Sequence, residues 1–177
     1  MVNRKKLSSA DNQQERSKEY LRGYLVGLVD GEGNFHVAFQ VRDDLPFGVS
    51  IIPEFHISQN YESKFVLELA QKILGCGYIK PNHARSKDKT YVFVVRDRID
   101  LATKVVPFFR INQLNTTKKN DFIIFSKVVE LMISNSHRSL SGLKRIIKLS
   151  YQMNGGGSRR MRTESELLSL LKSPETI

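Results

Sequence analysis

The chain is short of cysteine, of carboxylates and of long apolar runs, and each shortage excludes something. Cys76 is the one cysteine, so no internal disulfide framework can form, and no Cys/His cluster has zinc-site spacing. A reducing, intracellular compartment fits. No apolar run in the opening helix reaches the roughly 20 residues needed to span a bilayer, so no membrane partner is expected. No signal peptide is expected before it. Acidic residues are outnumbered: 28 Lys and Arg stand against 18 Asp and Glu, a formal charge of +10. That surplus calls for a polyanionic partner.

What is present suits one compact domain, since 177 residues at 40% apolar content suffice for a single core. Residues 1–19 hold Arg4, Lys5, Lys6, Arg16 and Lys18 beside Asp11, Glu15 and Glu19 without apolar periodicity. They are expected to form a flexible basic arm rather than a transit peptide. The domain proper is expected over 20–156. Gly155-Gly156-Gly157 then loosens the chain, and a tail over 157–177 carries a short capped helix from Thr163 to Lys172.

The stretch from Tyr20 to Phe35 organises the rest. Gly23, Gly27 and Gly31 recur every four residues, so a helix would carry them as a nearly flat stripe along which a second backbone can approach. Leu21, Tyr24, Leu25, Leu28 and Val29 surround the stripe, which predicts a helix buried on every side, in a core or an interface. Asp30-Gly31-Glu32-Gly33 ends it, setting two carboxylates against the negative end of the helix dipole. Either an oxygen-liganded cation offsets that charge or a C-cap glycine leads into a solvated acidic turn.

Beyond it the periodicities alternate between two and 3.6. Phe35, Val37, Phe39 and Val41 share one strand face, opposite Asn34, His36, Gln40 and Arg42. Val49, Ile51, Phe55 and Ile57 repeat the pattern opposite Ser50, Glu54, His56 and Ser58, which predicts a hairpin. A helix is expected over Ser63–Leu74, on a stripe of Phe65, Val66, Leu69, Ala70, Ile73 and Leu74, stopped by Gly75 and Gly77. Strands over Tyr78–Arg85 and Thr90–Arg96 follow, then helices over Asp100–Phe109, Asp121–Ser134 and Ser139–Met153. The pattern predicts an α+β domain: an antiparallel four-stranded sheet with helices on one face. The free face is polar, and from Lys80 to Arg98 it bears six Lys or Arg against two Asp. Such a face is either solvated or covers a ligand, and a β-ribbon fits the DNA major groove. From Arg138 to Arg162 seven further basic residues and no acidic one occur, as phosphate contacts or as an ordinary basic helix face.

Leu25 through Gly33 resembles the motif that names the LAGLIDADG homing endonucleases. The likeness continues through Phe55–Gln59, Leu74–Ile79, Lys118–Phe122 and His137–Asn154, and so covers about residues 20–156. It implies an αββαββα fold and a site-specific double-strand DNA endonuclease on a long, palindromic or near-palindromic target, leaving short 3′ overhangs. By that likeness Glu32, helped by the Gly31 carbonyl, holds Mg²⁺ (or Mn²⁺, with Ca²⁺ as a non-catalytic substitute). Gln59 orients solvent, and Lys118 stabilises charge, with Lys119 as its neighbour and rival. Asp30 is not implied as a ligand. Where relatives carry a basic residue just after the glutamine, Ser63 and Lys64 stand near that place. Base and phosphate contacts would come from Asn34, His36, Gln40, Arg42, Ser50, Glu54, His56, Lys80, Asn82, Arg85, Lys87, Lys89 and Arg96. His137 is expected to be structural. One motif per chain implies a homodimer packed through Gly23, Tyr24, Gly27 and Leu28. An organellar setting, mitochondrion or chloroplast, follows if the gene sits in an organellar intron. The alternative is an intron-splicing maturase that binds RNA, or a DNA-binding protein of the same fold that does not cut.

Overall fold

The computed structural model describes residues 9–82, 89–155 and 160–172. Its elements run α1 (Ser9–Glu32), β1 (Gly33–Val41), β2 (Val49–Asn60), α2 (Lys64–Leu74), β3 (Tyr78–Pro81) and β4 (Thr90–Val95). Next come α3 (Arg98–Asp100), a π-helical segment Leu101–Val105 and α4 (Val106–Ile111). The chain closes with α5 (Lys118–Ile133), α6 (Leu140–Ser150) and α7 (Glu164–Ser169). The four strands form one antiparallel sheet in the order β1-β2-β4-β3, as the α+β reading expects.

Alternation along the strands sends Phe35, Val37, Phe55, Ile57, Phe93 and Val95 to the helix side, where all are buried. Phe35 and Phe55 pair across β1 and β2 with ring centroids 5.1 Å apart. Phe109, Phe122 and Phe125 close around Phe35 at 5.6, 5.3 and 5.3 Å. This aromatic knot joins the sheet to α4 and α5. Each such ring contributes about 1.5–3 kcal/mol by leaving water.

Caps set the helix ends. Gly75 stops α2 in the left-handed conformation at φ +64, which glycine adopts without a Cβ penalty. Ser139 caps α6 by accepting from the Gly142 N–H, and Thr163 with Glu166 forms a capping box on α7, the capped tail helix expected.

Several expectations are corrected. α1 begins at Ser9, so residues 9–19, expected as a flexible arm, are helical; residues 1–8 lie outside the described residues. α1 is not buried all round: Leu25, Val26 and Val29 face the core while Tyr20 and Tyr24 are exposed. On α2 Phe65 is exposed and Leu67 takes its place in the core, because the helix is rotated toward the stripe Val66, Leu67, Ala70, Leu74. α5 starts at Lys118, three residues before the expected Asp121. β3 ends at Pro81, and Arg85 and Lys87 lie outside the described residues.

The tail packs on the sheet margin. β1 is an edge strand, and its outward carbonyls are taken up by later residues: Asn154 Nδ2 donates to Phe35 O at 2.9 Å and Arg160 Nη1 to Val37 O at 2.7 Å. The Arg160 guanidinium also donates to Ser150 O at 3.1 Å and lies over the Phe39 and Tyr151 rings at 5.4 and 4.8 Å. Leu167 buries against Val49 and Ile147, and the Lys172 N–H donates to Phe47 O.

Candidate active site and nucleic-acid interface

α1 runs into β1 without a loop, and Gly33 makes that possible. A Cβ there would sit 2.6 Å from Val29 Cγ1 and 2.8 Å from Val29 O, so the chain can turn from helix to strand only with glycine. The turn leaves Glu32 exposed on the last helical residue. Its carboxylate makes no hydrogen bond or ion pair among the described residues.

Asp30 is spent differently. It accepts the Asn115 N–H at 2.9 Å, the Thr116 N–H at 3.1 Å and the Thr116 hydroxyl at 2.7 Å, and so fastens the turn that leads into α5. That turn delivers Lys118, whose Nζ donates to Val29 O at 3.0 Å and to Gly31 O at 3.4 Å. The ammonium therefore sits on the negative end of the α1 dipole. Burial pushes its pKa down, and the charges of Asp30, Glu32 and Asp121 oppose that shift. Lys119 points elsewhere, with Nζ on Gln113 Oε1 at 2.9 Å; of the two lysines, Lys118 is the one at the helix end.

Gln59 lies two residues past Ile57, the register partner of Gly33, at the end of the sheet where α1 enters. It shares the helix-side parity of Ile57 and is half-buried. Lys64 is held by Glu68 at 3.1 Å and lies over the Tyr91 ring. Among the described residues no group of three or more His, Cys, Asp or Glu could hold a metal ion. The end of α1 offers the Glu32 carboxylate and the Gly31 carbonyl, both oxygen donors of the type that could hold a hard divalent cation.

On the glycine stripe, a Cβ built at Gly23, Gly27 or Gly31 meets nothing within 4 Å. The stripe is bare in the single chain, with Tyr24 and half-buried Leu28 beside it.

The sheet's free face carries the expected polar side chains. Asn34, Gln40, Asn82 and Lys89 are exposed, while His36, Ser50, His56 and Lys80 are half-buried. Arg42 is paired with Asp44 through two bonds of 2.8 and 2.7 Å. Burial, with Arg160 and His56 nearby, pushes the His36 pKa down against the pull of Glu54. Glu54 departs from expectation: it lies on the free face yet is 5% exposed. His56 Nε2 donates to its Oε2 at 2.7 Å, and the Arg96 guanidinium closes on Oε1. His137 meets Arg98 at 3.2 Å. Arg160 was missed by sequence reasoning, because nothing in its neighbours indicates that it folds back onto β1.

A family model described as LAGLIDADG endonuclease matches residues 25–129. The chain belongs to the LAGLIDADG endonuclease family. A relative named probable intron-encoded endonuclease 2, from Neurospora crassa, is 31% identical over 85% of this chain and 36% of its own length. The chain thus spans about a third of that fungal relative's length. Among solved structures, the archaeal intron-encoded homing endonuclease I-Vdi141I, complexed with DNA, superimposes with a TM-score of 0.78 at 29% identity. That match covers 86% of this chain and 95% of the archaeal one. The LAGLIDADG homing endonuclease I-LtrWI, bound to target DNA, gives 0.77 at 33% identity over 88% of this chain and 51% of its own. No helix among the described residues is long and apolar enough to cross a membrane.

Proposed function

We propose that this LAGLIDADG chain is a site-specific double-strand DNA endonuclease that works as a homodimer on a near-palindromic target. The observation that carries the reading is the end of α1, where the exposed Glu32, its carboxylate without a partner among the described residues, adjoins the Gly31 carbonyl that Lys118 engages, next to a bare glycine stripe. Two such helices packed stripe to stripe would bring two half-sites together.

In the assembled site Glu32 and the Gly31 carbonyl of each copy would hold Mg²⁺ or Mn²⁺. Such a cation supplies charge neutralisation at the phosphate and a water acidic enough to attack. Lys118, fixed by the Val29 and Gly31 carbonyls, places a positive charge where a scissile phosphate would gain negative charge. Gln59 offers an amide to orient solvent at the same end of the sheet. The free sheet face, flanked by basic side chains, would lie in the major groove. An organellar compartment, mitochondrion or chloroplast, is the setting inferred if the chain is intron-encoded, as the fungal relative's name has it.

Incubation of the parent and a Glu32→Gln variant with a randomised duplex library tests this. Double-strand cuts are expected from the parent in Mg²⁺ and not in Ca²⁺. The variant should bind equally well and cut at least about 100-fold more slowly. Undiminished cutting by the variant would remove Glu32 from the chemistry, and RNA-selective binding without nicking would favour the maturase reading.

A further inference from the structure

Glu54 is a carboxylate on the face proposed to meet a polyanion, and its surroundings assign it a task. The register sets it directly opposite His36 on β1; continued one residue past β4, the same ladder sets it opposite Arg96. At 5% exposure, with Oε2 engaged by His56 and Oε1 by Arg96, it turns almost none of its surface toward a base edge. It therefore cannot read cytosine as a lone carboxylate would. What it does is hold an arginine. The bond enters the guanidinium at Nε, and among the described residues nothing else engages Arg96, whose side chain is 48% exposed. Nη1 and Nη2 have no partner among the described residues, so that edge of the guanidinium can serve as a planar fork. A fork of two parallel donors matches the O6 and N7 acceptors of guanine, and no other base offers two acceptors on that edge.

We propose that Arg96 reads a guanine in the major groove and that Glu54 is the positioning residue that holds Arg96 in the reading rotamer. His56 completes the group from the next row of the sheet: its Nε2 donates to Glu54, and its Nδ1 has no partner among the described residues. The inference rests on the DNA reading above and deepens it.

The test is a binding selection from a randomised duplex library, with Ca²⁺ in place of Mg²⁺, on the parent, Arg96→Ala, Arg96→Lys and Glu54→Gln proteins. Sequencing of bound duplexes and a thermal melt of each protein give the readouts. The position whose preference changes in Arg96→Ala should be guanine in the parent, favoured about ten-fold or more over other bases. Arg96→Lys, which offers a point charge instead of a fork, should keep overall affinity and lose that preference. Glu54→Gln should flatten the same position and no other, with unchanged melting and equal or tighter binding to unrelated duplex, since a negative charge has been removed from the face. The proposal is overturned if the base at that position is not guanine, or if Glu54→Gln leaves the preference intact. It also falls if Glu54→Gln weakens all positions together with a lowered melting temperature. A parent protein that selects no duplex at all would overturn both this inference and the DNA reading beneath it.

Discussion

Asp30 and Glu32 stand two residues apart on one helix end, yet their surroundings divide their work. Glu32 is exposed and has no partner among the described residues, whereas Asp30 is committed to a turn 85 residues further along the chain. Partial burial alone would raise the Asp30 pKa, but the Asn115 N–H and the Thr116 hydroxyl and N–H hold it below its ordinary 3.8. A lowered native pKa means that the charged form stabilises the fold above the ordinary value, and that this contribution is lost as pH falls through the native value. Asp30→Ala should therefore cost about 1 kcal/mol in urea unfolding at pH 7. The gap to the parent should shrink below pH 3.8; a gap constant down to pH 2 would mean that charge plays no part. At this scale the sequence made Glu32, Gly31 and Lys118 legible through a family likeness, and the structure brings the three together. What it hid was pairing across the fold: Asp30 with Thr116 and Glu54 with Arg96 depend on turns and register that no local pattern encodes.

Among the elements, α1 offers the sharpest contrast between a chain alone and a chain in an assembly. Gly27 has open space where a Cβ would go, so in an isolated chain Gly27→Ala should stabilise the helix by about 1 kcal/mol. In a dimer closed along the stripe the same methyl would hold two backbones apart. The expected outcome is a melting temperature of the dissociated chain that is unchanged or higher, together with self-association weakened at least about ten-fold in sedimentation. Equal association by both proteins would place the dimer contact elsewhere. Elements with strong periodicity were readable: β1, β2 and α6 follow the alternation or stripe that predicts them. The first half of α1 was not: residues 15–20 are all exposed, and an exposed helical stretch needs no apolar stripe and so leaves none in the sequence. The true face of α2 was obscured for a related reason, since Phe65 and Leu67 fit either rotation until the sheet beneath selects one.

Across the whole molecule, positive charge governs how the protein meets a partner. A formal +10 per chain, doubled in a dimer, predicts binding driven largely by counterion release. Anisotropy titrations of a selected duplex should lose about 10³-fold or more in affinity between 50 and 200 mM salt if six to ten phosphates are contacted. Affinity that barely responds to salt would mean that the basic surface faces away from the duplex. The helix and hairpin repeat was visible in the sequence, and with it the four-stranded sheet. The packing of residues 154–155 and 160–172 against β1 and its hairpin was not, since it lies past the span that the family model matches and rests on single side chains such as Arg160. That packing has a practical bearing on redesign. A shortened chain cut back to the matched span would expose the raw border of its outermost strand, an invitation to stack with strands of other molecules and precipitate. A tandem version, two copies on one polypeptide, should accordingly place its joining linker after Lys172.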